Sequence, residues 1–201
     1  MRFFTADTHF FHQKLLYDHN FAQRDFLLLD DMHETLCQNW NAVVSPTDTV
    51  YHLGDIALIA AKNTQYQQVF ELLACLNGQL VFVKGNHDTR QLFKYLAKQE
   101  LTLANQQPKF VFHDVGVLLK TNHHQLFMTH YPLALGKNHN ALNLHGHIHR
   151  AIVSCATNIN VGVDSGDAQY LAKKRPFGQP FSEAEIFEMA QNKRSDFQKM
   201  R

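Results

Sequence analysis

Five short clusters hold side chains that bind cations or move protons: Asp7-Thr-His9, Gly54-Asp55, Gly85-Asn86-His87-Asp88, Thr129-His130 and Gly146-His147-Ile-His149. Carboxylate oxygen, amide oxygen and imidazole nitrogen together form a mixed donor set, which suits Mn²⁺, Fe or Zn²⁺ better than Ca²⁺ or Mg²⁺ alone. Asp7 and His9 are one residue apart and can face one cation from a single loop, and His147 and His149 repeat that spacing after Gly146. Asp55 has two oxygens and follows a glycine, which makes it the natural bridge between two ions. In the third cluster Gly85 permits backbone conformations that other residues resist. Asn86 offers a neutral oxygen, His87 a transferable proton, and Asp88 a carboxylate able to orient that imidazole. Fourteen histidines against 18 acids point the same way, because imidazole is the commonest neutral metal ligand.

Such scattered residues act together only if the fold gathers them. Four of the clusters come directly after short apolar runs at residues 3–6, 50–53, 80–83 and 126–128, which read as strands. In open α/β sheets the carboxyl ends of the strands open onto one crevice, so a layout of strand then ligand predicts convergence there. Between the strands, Met32, Leu36, Trp40 and Val43 recur at helical spacing over 29–43, with Asp30 as a candidate cap. Val69, Leu72, Leu73 and Leu76 predict a helix over 62–76 that stops at Asn77-Gly78. A third helix is expected after Asp88, and two short strands within 109–121 around a turn near 114–116. Two more strands are expected at 151–155 and 159–163, joined by a turn at 156–158. A last helix over 182–191 would be capped by Ser182 and Glu185, with a frayed charged tail from Lys193. Alternating strands and helices followed by a strand-rich half imply an α/β fold of two packed mixed β-sheets flanked by helices.

At 201 residues, 45% hydrophobic and 18% charged, the chain suits one globular domain, and no linker or repeat marks a boundary. The net charge of +1 supplies no broad footprint for long nucleic acid. No run reaches the roughly 18 apolar residues of a membrane span, and no signal-like segment precedes Asp7, so the expected setting is cytoplasmic, without a membrane partner. Cys37, Cys75 and Cys155 are odd in number and widely spaced, and read as reduced, mostly buried residues. No G-x-x-x-x-G-K-[ST] cradle is present, so hydrolysis is preferred over transfer from ATP.

In that order, the five clusters resemble the ligand motifs of the calcineurin-like metallophosphoesterase superfamily. The stretches Phe4-Thr-Ala-Asp-Thr-His-Phe10, Asn39-Trp-Asn41, Thr49-Val-Tyr-His-Leu-Gly-Asp55 and Asn160-Val-Gly-Val-Asp164 are similar to its small stand-alone bacterial and phage members. The resemblance implies an αββα sandwich and two divalent or mixed-valence ions. Asp7, His9, Asp55 and His149 would hold one ion, and Asp55, Asn86, His130 and His147 the other. It further implies phosphodiester or phosphomonoester hydrolysis by a metal-bridging hydroxide. His87 would be the general acid, with its ring held by Asp88. The expected substrate is a small phosphoester or nucleotide-like molecule. The rival readings are a non-catalytic metal-binding scaffold for a protein partner and a nuclease acting on short or single-stranded ends.

Arg24 and His12 are candidates for contact with a substrate phosphate. His19, His33, His52, His113, His123, His124, His139 and His145 match no ligand position and read as structural or surface residues, and Asp164 as a turn carboxylate. Lys173-Lys-Arg175 reads as a solvated loop, and the 16 phenylalanines as core, with Phe10 and Phe11 as exceptions at the rim of the site.

Overall fold

The computed structural model describes residues 1–18, 21–22, 24–60, 62–136, 138 and 140–199, so the expectations for His19 and His139 lie outside the described residues. β1 (Arg2–Thr5), β2 (Thr49–His52), β3 (Gln79–Val83) and β4 (Phe110–His113) run parallel in one sheet, with the register Phe4 opposite Tyr51, Val50 opposite Leu80 and Val81 opposite Val111. A short antiparallel strand, β9 (Phe181–Ser182), closes its other edge and gives the order β4-β3-β2-β1-β9. The second sheet has the order β5-β6-β7-β8, built from β5 (Gly116–Thr121), β6 (His124–Thr129), β7 (Ala141–His145) and β8 (Asn158–Asn160). Within it β5 pairs antiparallel with β6, and β6, β7 and β8 are parallel. Four helices flank the two mixed sheets: α1 (Leu29–Asn41), α2 (Asn63–Ala74), α3 (Arg90–Ala97) and α4 (Glu183–Lys199).

Strand alternation builds two cores. Phe3, Val50, Leu80 and Phe82 point to one face, where Met32, Leu36 and Trp40 of α1, Val69 and Leu73 of α2 and Leu92 of α3 cover them. Phe4 points to the other, and joins Leu126 and Met128 of β6, Leu142 and Leu144 of β7 and Ile186 and Met189 of α4 between the sheets. α4 lies against β8 and β9, the adjacent edges of the two sheets.

The two strands within 109–121 form as expected, and the chain passes from one sheet to the other between them, so β4 and β5 do not pair. Several other expectations need correction. Residues 151–155 form no strand: Asn160 Nδ2 bonds to the carbonyls of His149 and Ala151, which ties the start of that irregular segment to the end of β8. β8 is shorter than expected, because beyond Asn160 the chain leaves the sheet to run beside the end of β1, bridging Gly162 to Ala6. α1 begins after Leu28, with Asp30 and Asp31 in its first turn, where they complement the helix dipole without capping. The tail from Lys193 is helix to Lys199. Lys193 is fully buried, its ammonium bonded to Asp167 Oδ1 at 2.8 Å and Asn158 O at 2.7 Å. Phe10 is core, not rim, and the cysteines are free but not mostly buried, since Cys75 is exposed and the other two are half-buried. The Ser182–Glu185 capping box is present, with Ser182 N bonded to Glu185 Oε2 at 2.7 Å. No helix among the described residues is long and apolar enough to cross a membrane.

Candidate metal centre

All five clusters lie just past the carboxyl ends of parallel strands: Asp7 and His9 after β1, Asp55 after β2, residues 85–88 after β3, His130 after β6, and His147 and His149 after β7. The fifth strand had no clear sequence signal. Ala141-Leu-Asn-Leu-His145 is buried throughout, and its central Asn143 hides the strand pattern while satisfying Phe127 O, Leu133 N and Asn158 Nδ2.

The loops converge through backbone bonds. Asp7 N donates to Gly54 O at 2.9 Å and His9 N to Asp55 O at 3.0 Å, while Asp7 Oδ2 accepts from His147 N at 2.9 Å across the two sheets. Five ligand candidates, Asp7, His9, Asp55, His147 and His149, have φ between 47° and 70°. That left-handed region is uncommon for non-glycine residues and costs of order 1–3 kcal/mol each, so it persists only where surrounding bonds over-determine it, typically at functional sites. Close approach explains Gly146, where an added Cβ would lie 2.5 Å from both Ala6 Cβ and Asp7 Oδ2.

Two groups result. Asp7, His9 and His149 bring their ligand atoms within 4.8 Å of one another, and so do Asp55, His130 and His147. Asp55 Oδ2 lies between them, 3.6 Å from His9 Nε2 and 3.4 Å from His130 Nε2. Asn86 joins the second group, with Oδ1 2.8 Å from His130 Nε2 and 2.9 Å from His147 Nδ1. His9 Nε2 is buried and has no hydrogen-bond partner among the described residues, which suits a metal ligand and leaves a polar atom uncompensated otherwise. The donor set therefore fits transition-metal ions.

The far side of three of the four imidazoles is also held. His130 Nδ1 donates to Leu53 O at 2.8 Å, His149 Nδ1 donates to Asp164 Oδ2 at 2.9 Å, and His9 Nδ1 meets His12 Nδ1 at 3.2 Å. Such contacts leave Nε2 of these three rings directed to the centre, while His147 meets Asn86 there through Nδ1. Burial pushes the His9 imidazole down to about 2, helped by the Arg24 charge, and burial also lowers His147, so both stay neutral as ligands must. His130 goes the other way: burial opposes its charge, but the bond to Asp55 and that carboxylate's charge outweigh it. Asp55 is held well below the carboxylate range, since the His130 and His87 N–H bonds and nearby charge overcome burial. Burial lifts Asp7 to about 7 against the pull of His149 and His130.

His87 is exposed at the mouth of the crevice, its ring centre 5.3 Å from that of His9 and 6.1 Å from that of His12. Asp88 does not hold the His87 ring. Its carboxylate accepts from the backbone N–H groups of Asp55 and Gly85, both at 2.8 Å, and of Ile56 at 2.9 Å, so it clamps two ligand loops together. Arg24, expected at a substrate phosphate, is fully buried, with its donors taken by Asp164, Thr8 O and Asp7 O. Asp164 does sit in a turn, but its carboxylate is buried there, held at about 2 as the Arg24 charge and the His149 bond outweigh burial. Arg24 and Asp164 are 140 residues apart, and no spacing signal could have joined them. Phe21 and Tyr131 were also missed: both are about half exposed, Phe21 with its ring 4.1 Å from His149 and Tyr131 with its ring 4.5 Å from His147.

The model of the calcineurin-like phosphoesterase superfamily domain matches residues 25–178, so its match begins after Asp7 and His9. An uncharacterised protein of Methanocaldococcus jannaschii, MJ1445, is 34% identical over 131 residues, covering 63% of this chain and 71% of its own. The gene 66 protein of Mycobacterium phage L5 is 26% identical, over 81% of this chain and 86% of its own. The crystal structure of AQ665 from Aquifex aeolicus, a protein of unknown function, shares the fold with a TM-score of 0.63 at 22% identity, covering 94% of this chain and 98% of that one. With the family's domain matched over more than half its length and its His and Asp groups gathered where they could bind metal, the chain belongs to the calcineurin-like phosphoesterase superfamily.

Proposed function

We propose that the protein is a dinuclear metal-dependent phosphoester hydrolase acting on small phosphodiesters. The observation that carries this reading is the place of Asp55, whose Oδ2 lies within 3.6 Å of a histidine from each ligand group. Asp7, His9, Asp55 and His149 would hold one ion, and Asp55, Asn86, His130 and His147 the second, with Mn²⁺, Fe or Zn²⁺ suited to the donors. Such a pair supplies Lewis-acid charge at the phosphoryl oxygens and a water acidic enough to attack phosphorus near neutral pH.

The chain's own groups do the rest. His87 stands at the open side, where its ring can donate a proton to the departing oxygen. Asp88 keeps the β2 and β3 loops together through three backbone bonds. Phe21 and Tyr131 rest on ligand histidines of opposite groups and offer apolar surface on two sides. That supports a diester carrying a planar or apolar substituent at each ester oxygen over a small monoester.

The test is hydrolysis of bis-nitrophenyl phosphate and nitrophenyl phosphate by metal-stripped protein, with Mn²⁺, Zn²⁺ or Fe²⁺ restored singly and Asp55→Ala as control. Metal-dependent turnover that favours the diester and vanishes in the control is expected. A folded, metal-loaded protein inert toward both esters would sink the hydrolase reading, and a monoester preference would remove the diester assignment.

A further inference from the structure

We propose that the chain carries a second ligand site, apart from the metal centre, for a small monophosphate bearing a planar ring. A cavity of about 740 Å³ opens between the segment after Arg24 and the loop that leads into β9, and none of the metal-ligand candidates lines it. That volume suits a ligand of mononucleotide size.

Its walls divide by chemistry. Phe26 and Phe177 supply half-buried apolar rings with centroids 5.0 Å apart, while Phe181, 4% exposed beneath Arg175, only closes the floor. Flat hydrophobic surfaces of this kind take an aromatic ring by stacking. Lys173, Lys174 and Arg175 form the basic side. Arg175 is committed to the protein, lying over the Phe181 ring at 4.1 Å and bonded to Glu185 and Gln179 O, so it braces the loop. Lys173 and Lys174 are exposed, and no ion pair engages them among the described residues. Two ammonium groups beside a ring platform match a phosphate joined to an aromatic ring. Asp25 also lines the wall and lowers the local positive charge, which favours a monophosphate over a polyphosphate.

The cavity backs onto the wall behind the metal centre. The Arg24 guanidinium lies 5.7 Å from the centre of the Phe177 ring, while on its other side it bonds to Asp164, the partner of His149. The two sites are thus separate but share one buried arginine.

Binding, not turnover, tests the site, so its outcome is independent of the hydrolase reading. Equilibrium dialysis with labelled AMP would be run on the wild type, on Asp55→Ala and on the double variant Lys173→Glu/Lys174→Glu, with adenosine and inorganic phosphate as part-probes. The site requires saturable AMP binding at one per chain, kept in Asp55→Ala and weakened at least tenfold in the double variant. Both lysines are exposed, so the double variant is expected to fold, and its thermal melt checks that. Adenosine and phosphate should each bind more weakly than AMP. Absence of saturable AMP binding, or binding lost in Asp55→Ala and kept in the double variant, would overturn the site. Phosphate binding as tightly as AMP would overturn the ring-plus-phosphate class.

Discussion

His87 and His12 sit side by side at the mouth of the crevice, yet their surroundings give them different work. His87 has no hydrogen-bonded partner for its ring among the described residues, which leaves the imidazole free to turn toward a leaving group. Its replacement by Ala is expected to lower kcat by about 100-fold or more for an alkyl diester, and by under about tenfold for a nitrophenyl ester, whose leaving group needs little protonation. Equal losses in the two substrate series would remove the general-acid role. His12 instead meets Nδ1 of His9, a ligand-candidate imidazole whose buried Nε2 has no hydrogen-bond partner among the described residues. His12→Ala should weaken metal affinity by about 10–100-fold in a chelator-competition titration, with His12→Asn restoring part of it, because an amide oxygen can also accept from His9 Nδ1. Unchanged affinity in His12→Ala would show that His9 needs no such support.

Five parallel strands end at the crevice, and their following loops carry every ligand candidate, so the strands fix where the ligands start and the loops how they turn. Lys109, at the start of the β4 segment, shows how an element's packing sets a pH response. It is buried, its ammonium bonded to the carbonyls of Leu76 and Gly78, and burial pulls its pKa from the ordinary 10.5 to about 8. Below pH 8 the lysine is charged in both folded and unfolded chains, and the burial cost is fully present. Between about 8 and 10.5 the unfolded chain keeps the proton that the folded chain releases, so stability rises with pH through that window. Denaturant melts should show the wild type gaining up to about 3 kcal/mol relative to Lys109→Met between those limits. A constant difference between the two proteins would mean that Lys109 titrates normally.

Across the molecule, the candidate metal centre joins the two sheets: Asp7, His9, Asp55 and Asn86 come from the first, and His130, His147 and His149 from the second. Ions bound there would stabilise the packing of one sheet on the other, because binding restricted to the folded state adds about 2.7 kcal/mol at a hundredfold excess over Kd. Chelated protein is therefore expected to melt roughly 5–10 °C below protein saturated with Mn²⁺ or Zn²⁺, with little difference in Asp55→Ala. A melting temperature indifferent to metal in the wild type would count against a centre that spans the sheets. The candidate ligand residues that the fold gathers and most of the strands were legible in the sequence, since apolar runs and the Asp, Asn and His residues after them are local features. So were α1, α2 and the capping box at Ser182, which depend on contacts within a few residues. What lay beyond reach was non-local: the Arg24–Asp164 pair, the burial of Lys193 against Asp167, and the clamp of Asp88 on neighbouring loops. The choice of sheet for β4 and β5 was equally hidden, because a turn residue reports a change of direction and not the strand it will pair with. Chain order supplied the donors, and packing of distant segments assigned each polar group its partner, because a buried charge must be matched by whatever neighbour the fold brings.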